Sequence, residues 1–101
     1  MEKNFLIGKL KTEKLEIIAN MLKAISHPKR IVILSLLENK KMTVTEIHNL
    51  LKIKQSSSSH HLGILKNKGI LISERDGKNV YYSLKYNNLN RIIECINECP
   101  I

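Results

Sequence analysis

The feature that most constrains the fold is the stretch QSSSSHHLGILKNKG, from Gln55 to Gly69. At about 100° per residue, a helix here would place Ser58, Leu62 and Leu65 on one face, with His61 at its edge. The opposite face would carry Ser56, Ser59, His60, Gly63 and Asn67. The stretch therefore predicts a short amphipathic helix whose outer face is small, polar and almost uncharged.

The residues that flank this helix are cationic, with Lys52 and Lys54 before it and Lys66 and Lys68 towards its end. Ser and Gln side chains both donate and accept hydrogen bonds and have little bulk, so they can lie close to base edges. Cations around such a face suit phosphates. An ordinary surface helix with a serine-rich start has the same pattern, and the stretch alone leaves both interpretations open.

Length, composition and charge limit the class of protein. A chain of 101 residues with 43% hydrophobic residues predicts one domain with a modest core. No apolar run approaches the roughly 20 residues that span a bilayer. The start, MEKNFLIGKLK, has no signal-peptide pattern, so we expect a cytoplasmic protein with reduced thiols and no membrane partner.

Positive charge is concentrated in one half of the chain. The formal net charge is +8, and residues 40–85 hold eight Lys and one Arg against three acidic residues. A basic surface of this kind attracts polyanions. A basic domain without such a partner would have the same composition.

Two helices are predicted before residue 40. Residues 9–25 carry a broad apolar stripe at helical spacing, which consists of Leu15, Ile17, Ile18, Met21, Leu22 and Ile25. The stripe fits packing against a second subunit as well as packing within one chain. Ser26-His27-Pro28 predicts a helix start, because proline is tolerated in a first turn. That second helix should run to about Asn39 as the central buried helix, with His27 as a capping or boundary residue rather than a ligand.

A helix-turn-helix pattern follows. Thr43 to Glu46 matches a capping box, and Met42 and Ile47 are spaced for a hydrophobic staple. We expect Ile47, Leu50 and Leu51 to point inward from the short helix that begins here. A tight connection then leads into the serine-rich helix.

The remaining chain predicts a wing and a terminal helix. Gly69 suits a helix end, and Asp76-Gly77 is a strong hairpin signal that would put Arg75 and Lys78 at the hairpin tip. Residues 87–98 predict a last helix with one apolar face, which Cys99 extends. We expect this helix to pair with the first helix across a two-fold axis.

From Met21 to Leu84 the chain resembles the ArsR/SmtB-type winged helix-turn-helix repressors. Four segments carry the resemblance, in the right order and at the right separations: LKAISHPKRIVILSLL, TVTEIHNLL, QSSSSHHLGILKNKGIL and RDGKNVYYSL. The resemblance implies a mainly α fold of five helices with a two-stranded β wing. It also implies a homodimer that represses transcription by binding an inverted-repeat operator in double-stranded DNA.

The expected organisation is one winged helix-turn-helix domain over residues 1–101. Residues 1–25 and 86–101 would form the dimer, 43–68 the helix-turn-helix and 70–84 the wing. The family's DNA contacts map onto the helix and the wing: Gln55, Ser56, Ser57, Ser59, His60, Arg75 and Lys78. Lys54 stands where the family often has Ser and cannot accept a hydrogen bond, so we expect it to hold a phosphate while Ser56 or Ser57 caps a shorter helix.

The family's usual metal sites are missing from this sequence. Thr43 and Thr45 stand where many members have a Cys pair, and hydroxyls are poor ligands for soft ions. Tyr86 and Asn88 stand where other members have the Asp and the first His of a zinc site. We therefore expect no metal and no cofactor.

Cys95 and Cys99, four residues apart near the C-terminus, are the remaining candidates for a sensor. They could react as a thiol or persulfide switch, bind a metalloid with a third ligand, or act as small apolar residues in the dimer contact. A repressor controlled only by its abundance or by a partner protein is a further alternative.

Two other classes fit the sequence less well. A hydrolase that uses one of the serines and a histidine lacks a G-x-S-x-G turn and an orienting acid. A winged helix used only for protein contacts would not need nine cations between residues 40 and 85. We expect no enzyme activity.

Overall fold

The computed structural model describes residues 12–100, which form five helices and three strands. The elements in chain order are α1 (Thr12–Ile25), α2 (Pro28–Leu37), β1 (Met42–Thr43), α3 (Val44–Leu51), α4 (Gln55–Asn67), β2 (Leu71–Asp76), β3 (Asn79–Leu84) and α5 (Leu89–Asn97). The winged helix-turn-helix fold is confirmed. The predicted start of the first helix, at residue 9, lies outside the described residues.

The core lies where α4 packs against the other elements. α4 contacts α1, α2, α3 and β2. The largest side chains at the centre are fully buried and come from four elements and one connection: Ile33, Ile47, Leu62, Leu65, Ile70 and Leu71. Burial of an aliphatic side chain contributes about 1.5–3 kcal/mol, so this cluster fixes the position of α4 in the fold.

α2 differs from its prediction in length and burial. It ends at Leu37 rather than near Asn39, and Glu38 is its C-cap. Ile33, Leu34 and Leu37 are buried, but Val32 is 43% exposed. α2 is therefore buried on one side only, because α4, α5 and the sheet cover that side.

The sheet has three strands, in the order β1-β3-β2, and all neighbours are antiparallel. The sequence predicted only the β2–β3 hairpin, since β1 is two residues long and has no pattern of its own. Gly77 has φ of 65° in the two-residue turn, as the predicted hairpin requires. The predicted inside–outside alternation along β3 is weak. Tyr82 packs against the core as expected, but Tyr81 on the other face is also partly covered, because the ammonium of Lys41 lies 5.0 Å from the centre of its ring.

Leu50 was wrongly predicted to point inward, since it is 58% exposed. Within α3, Ile47 is buried and Val44 and Leu51 pack against the core. Leu50 lies about 100° around the helix from the Val44–Leu51 line, which is the centre of the buried side.

None of the helices between residues 12 and 100 is long and apolar enough to cross a membrane.

Candidate nucleic-acid interface

The first helix of the motif starts with the predicted capping box. The Glu46 backbone N–H donates to the Thr43 hydroxyl at 3.2 Å, and the Thr43 N–H donates to the Glu46 carboxylate at 3.1 Å. Met42 and Ile47, predicted as the staple, are both buried. Two donors that a helix start normally leaves free are satisfied here, so the entry into α3 is fixed.

The turn between α3 and α4 is held by a histidine that the sequence did not single out. Lys52 has φ of 55°, and its N–H donates to the His48 carbonyl at 2.9 Å. The His48 ring nitrogen Nδ1 is hydrogen-bonded to the Ile53 carbonyl. These contacts hold the three connecting residues in one conformation, and this sets the direction in which α4 leaves the turn.

α4 starts at Gln55, with Lys54 as its N-cap and no side-chain cap bond. The Lys54 carbonyl accepts from the N–H groups of Ser57 and Ser58, at 3.0 and 3.1 Å. The prediction that Ser56 or Ser57 caps a shorter helix is therefore wrong, because both residues already lie inside the helix. The start of α4 leaves backbone N–H groups next to a lysine, and such a start favours an anion.

The two predicted faces of α4 are present. Ser58, Leu62 and Leu65 are fully buried, and His61 is half-buried at their edge. The opposite side, here called the outward face, is exposed at every position and consists of Ser56, Ser59, His60, Gly63 and Asn67. Gln55 at the start of the helix is also exposed, whereas Ser57 is half-buried.

The end of α4 is closed by backbone hydrogen bonds. Gly69 has φ of 79°, and its N–H donates to the Lys66 carbonyl at 3.0 Å. The N–H of Ile70 donates to the Leu65 carbonyl, also at 3.0 Å. This pair of bonds is a Schellman motif, in which glycine takes the left-handed position. It turns the chain directly into β2 and the wing.

Arg75 and Lys78 lie at the far end of the hairpin, where Arg75 pairs with Val80 and Asp76 with Asn79. Both cationic side chains are exposed. Among the described residues, neither forms an ion pair with a carboxylate within 4.0 Å. Both charges are therefore available to an external anion.

A second contact that the sequence missed joins α2 to α4. The Arg30 guanidinium donates through Nε to His61 Nδ1 and through Nη1 to the Ala24 carbonyl, each at 3.1 Å. The His27 ring lies 4.7 Å from the His61 ring, and His27 caps α2 as predicted by accepting from the Lys29 N–H at 3.1 Å. No sequence pattern signals the Arg30–His61 bond, because 31 positions separate the two residues.

Cys99 does not extend the last helix as predicted. Cys95 lies in α5, but Cys99 follows the C-cap Glu98 and is outside the helix. Both thiols are free and exposed. Thr43, which was expected to stand in place of one Cys of a metal-binding pair, is engaged in the capping box. Within residues 12–100, no group of three or more His, Cys, Asp or Glu side chains is placed to hold a metal ion.

Both terminal helices of the described chain expose apolar side chains. α1 exposes Leu15, Ile17, Ile18 and Leu22, and α5 exposes Ile92 and Ile96. Ile17 is 60% exposed, and Leu89 and Ile93 of α5 are buried instead. Residues 12–100 thus leave the broad stripe predicted for the first helix largely uncovered.

Known proteins with the same architecture are regulators of transcription. Residues 27–73 match the family described as "Bacterial regulatory protein, arsR family". The chain is 35% identical over 85 residues to the HTH-type transcriptional regulator YgaV of Escherichia coli, across 81% of this chain and 86% of YgaV. The structure of the transcriptional repressor PagR of Bacillus anthracis is similar, with a TM-score of 0.80 and 35% identity over 86% of this chain and 100% of PagR.

A solution structure from Mycobacterium bovis is also similar. It is the homodimeric winged helix-turn-helix DNA-binding domain of Mb0332, with a TM-score of 0.76 and 25% identity over 82% of this chain and 77% of that domain. The similarity in sequence and the similarity in fold both extend over most of each of these chains. This protein belongs to the arsR family of bacterial regulatory proteins.

Proposed function

We propose that this protein is a transcriptional repressor that binds an inverted-repeat operator in double-stranded DNA as a homodimer. The observation that carries the proposal is the outward face of α4, which is exposed, polar and uncharged between cationic flanks. A face that is small enough to approach base edges, next to charges that suit phosphates, fits a helix in the major groove. A function on DNA would place the protein in the cytoplasm.

In this proposal, α4 makes the base contacts. The amide of Gln55 can donate to and accept from an adenine edge at the same time, and His60 can reach a base or a phosphate. Ser56 and Ser59 have side chains short enough to let the helix approach the groove. Ser57 is half-buried, so it would contact the sugar-phosphate backbone of the DNA at the edge of the groove rather than a base.

Cations would supply most of the affinity. Lys54 and the free N–H groups at the start of α4 would hold one phosphate, and Arg75 and Lys78 of the wing would contact DNA beside the same half-site. The nearest acidic side chain to the tip, Asp76, is exposed and pairs through its backbone with Asn79. Affinity should therefore fall steeply as the salt concentration rises.

The exposed apolar side chains of α1 and α5 would form the dimer contact. Covering such side chains is favourable by about 25 cal/mol per Å² of apolar surface. PagR is named a transcriptional repressor, and the Mb0332 domain is described as homodimeric. A two-fold axis between the subunits would set the two α4 helices about 34 Å apart, in successive major grooves.

The test is selection of duplexes from a random-sequence library, followed by fluorescence anisotropy on the selected duplex and on a random duplex of equal length. We expect an inverted repeat, one dimer bound per duplex, and a preference that Gln55→Ala reduces on the selected duplex only. Gln55→Ala should be compared with Asn67→Ala, which removes an amide from the other end of the outward face. Failure to select any sequence would contradict the proposal.

A second candidate is a repressor whose DNA binding responds to a thiol reagent, a persulfide or a metalloid at Cys95 and Cys99. Both thiols are exposed, and Cys99 lies beyond the last helical turn. The chain around Cys99 can rearrange without breaking α5, which makes a bond between the two sulfurs less strained than inside a helix. Such a bond would lie next to Ile92 and Ile96 on the proposed dimer contact.

Anisotropy measured on the reduced protein, after diamide or a persulfide donor, and with arsenite would test this candidate. We expect weaker binding after treatment, and no change in Cys95→Ser or Cys99→Ser. Equal affinity under every condition would mean that the cysteines are not a sensor.

A further inference from the structure

Arg30 lies where three helices meet. It belongs to the first turn of α2, and its two hydrogen bonds reach the last turn of α1, at Ala24, and the edge of α4, at His61. A guanidinium presents its donors in a rigid planar fork. The two bonds together therefore restrict the rotation of α4 relative to the α1–α2 corner.

The Ala24 carbonyl gains a donor from Arg30. It is one of the last four carbonyls of α1, which have no N–H partner within the helix. Arg30 supplies the missing donor and also places a positive charge at the end of α1, where the helix dipole favours it.

His61 can accept from Arg30 only while its ring is neutral. Since Nδ1 accepts, the ring proton must lie on Nε2. Burial lowers the pKa of His61, and the charges of His27, Arg30, His60 and Lys29 lower it further. The described surroundings thus keep the ring in the state that the Arg30 bond requires.

We propose that Arg30 is a positioning residue for operator recognition and that it acts by holding α4 through the acceptor nitrogen of His61. The inference rests on the proposed function. His61 is adjacent to His60, so a rotation of α4 about its axis would move His60 and the rest of the outward face together. Leu62 and Leu65 keep α4 packed on the core without this bond, and the bond from Arg30 adds a directional restraint on the rotation of the helix.

Three variants separate this role from charge and from folding. Arg30→Lys keeps the charge but loses the fork, and His61→Leu removes the acceptor. His61→Asn is the matched conservative variant, because its side-chain oxygen can accept from Arg30 near the position of Nδ1. Circular dichroism and urea unfolding establish that each variant is folded before its binding is measured.

We expect Arg30→Lys and His61→Leu to lose about tenfold in affinity for the selected duplex and about twofold or less for the random duplex, since random binding depends on charge. His61→Asn should stay within about threefold of wild type on both. Equal losses on both duplexes, or no rescue by His61→Asn, would overturn the positioning role.

Imidazole ¹⁵N chemical shifts of the free protein provide a readout that does not depend on DNA. In wild type, His61 should show an unprotonated Nδ1 and a protonated Nε2, and Arg30→Lys should shift it towards an average of both tautomers. A protonated Nδ1 in neutral wild-type His61 would overturn the inference. A wild type that binds both duplexes equally would contradict the proposed function, while the nitrogen spectrum would still show whether Arg30 holds His61.

Discussion

The two helices of the helix-turn-helix start in different ways. α3 has Thr43 as its N-cap, and the hydroxyl and N–H of Thr43 are both bonded to Glu46. α4 has Lys54 as its N-cap, whose backbone is extended but whose side chain forms no capping hydrogen bond. The backbone is extended at both N-caps, so the two helix starts differ in the side chains that cap them.

This difference separates a helix start that serves the fold from one that is open to a partner. Thr43 also pairs with Tyr81 in the sheet, so the start of α3 is tied to the wing on one side and to its own helix on the other. At α4, Lys54, Gln55 and Ser56 are all exposed. Free backbone N–H groups at a helix start favour an anion, and a lysine beside them adds to that preference.

The largest effect should come from breaking the closed start. Thr43→Ala removes the hydroxyl that caps α3 and should lower the free energy of unfolding by about 1–2 kcal/mol. Urea unfolding followed by circular dichroism measures this. Thr45→Ala is the matched control, because Thr45 is exposed in the same turn and makes no capping bond. Equal losses in the two variants would show that the capping box contributes nothing.

The buried side of α4 offers the next test. The hydroxyl of Ser58 is fully buried without a hydrogen-bond partner. Ser58→Ala should therefore raise the free energy of unfolding by about 1 kcal/mol, because the unsatisfied group is removed. Ser59→Ala, on the outward face, should change stability by less than about 0.5 kcal/mol.

A loss of stability in Ser58→Ala would contradict that expectation. It would mean that the hydroxyl bonds to a carbonyl of its own helix, as Ser35 does to Ile31 at 3.1 Å. The comparison of Ser58 with Ser59 thus distinguishes a side chain that serves packing from one that faces outward.

The features that the sequence predicted correctly follow from short-range rules. The capping box, the glycine after α4 and the glycine in the wing each depend on a few neighbouring residues, whose side chains or backbone dihedrals close a local hydrogen bond. The two faces of α4 follow from helical periodicity over thirteen residues. His27 as a cap also needed only its neighbours.

The features that the sequence missed depend on distant contacts or on small angles. β1 exists because Met42 and Thr43 pair with Tyr82 and Tyr81, about 40 positions away. Arg30 and His61 meet only after α2 and α4 pack together. Leu50 was misplaced because an eight-residue helix has too few positions to locate the centre of its buried side.

The open start of α4 can be converted into a closed one. Lys54→Ser should raise the free energy of unfolding by about 0.5–1 kcal/mol, because its hydroxyl can cap α4. The same variant should weaken binding to all duplexes and reduce the slope of log affinity against log salt by about one. Lys14→Ser removes the same charge from α1 and should do neither. If Lys54→Ser binds DNA like wild type, Lys54 holds no phosphate.

The smallest effect should be on the pH dependence of stability. The folded pKa of His61 is lowered from about 6.5, chiefly by burial and then by neighbouring positive charges, so the unfolded chain binds the proton more readily. Above about pH 6.5 both states are neutral at this ring and the full stability is present. As the pH falls below that value, stability should be lost until the folded pKa is reached.

His61→Asn isolates this effect, because it keeps an acceptor for Arg30, does not titrate, and leaves His27 and His60 in place. The difference in unfolding free energy between wild type and His61→Asn should be constant above about pH 6.5 and should move against wild type below it. A difference that is the same at every pH would mean that His61 has the same pKa in the folded and unfolded states. The position of the outward face of α4 would then not depend on whether His61 is protonated.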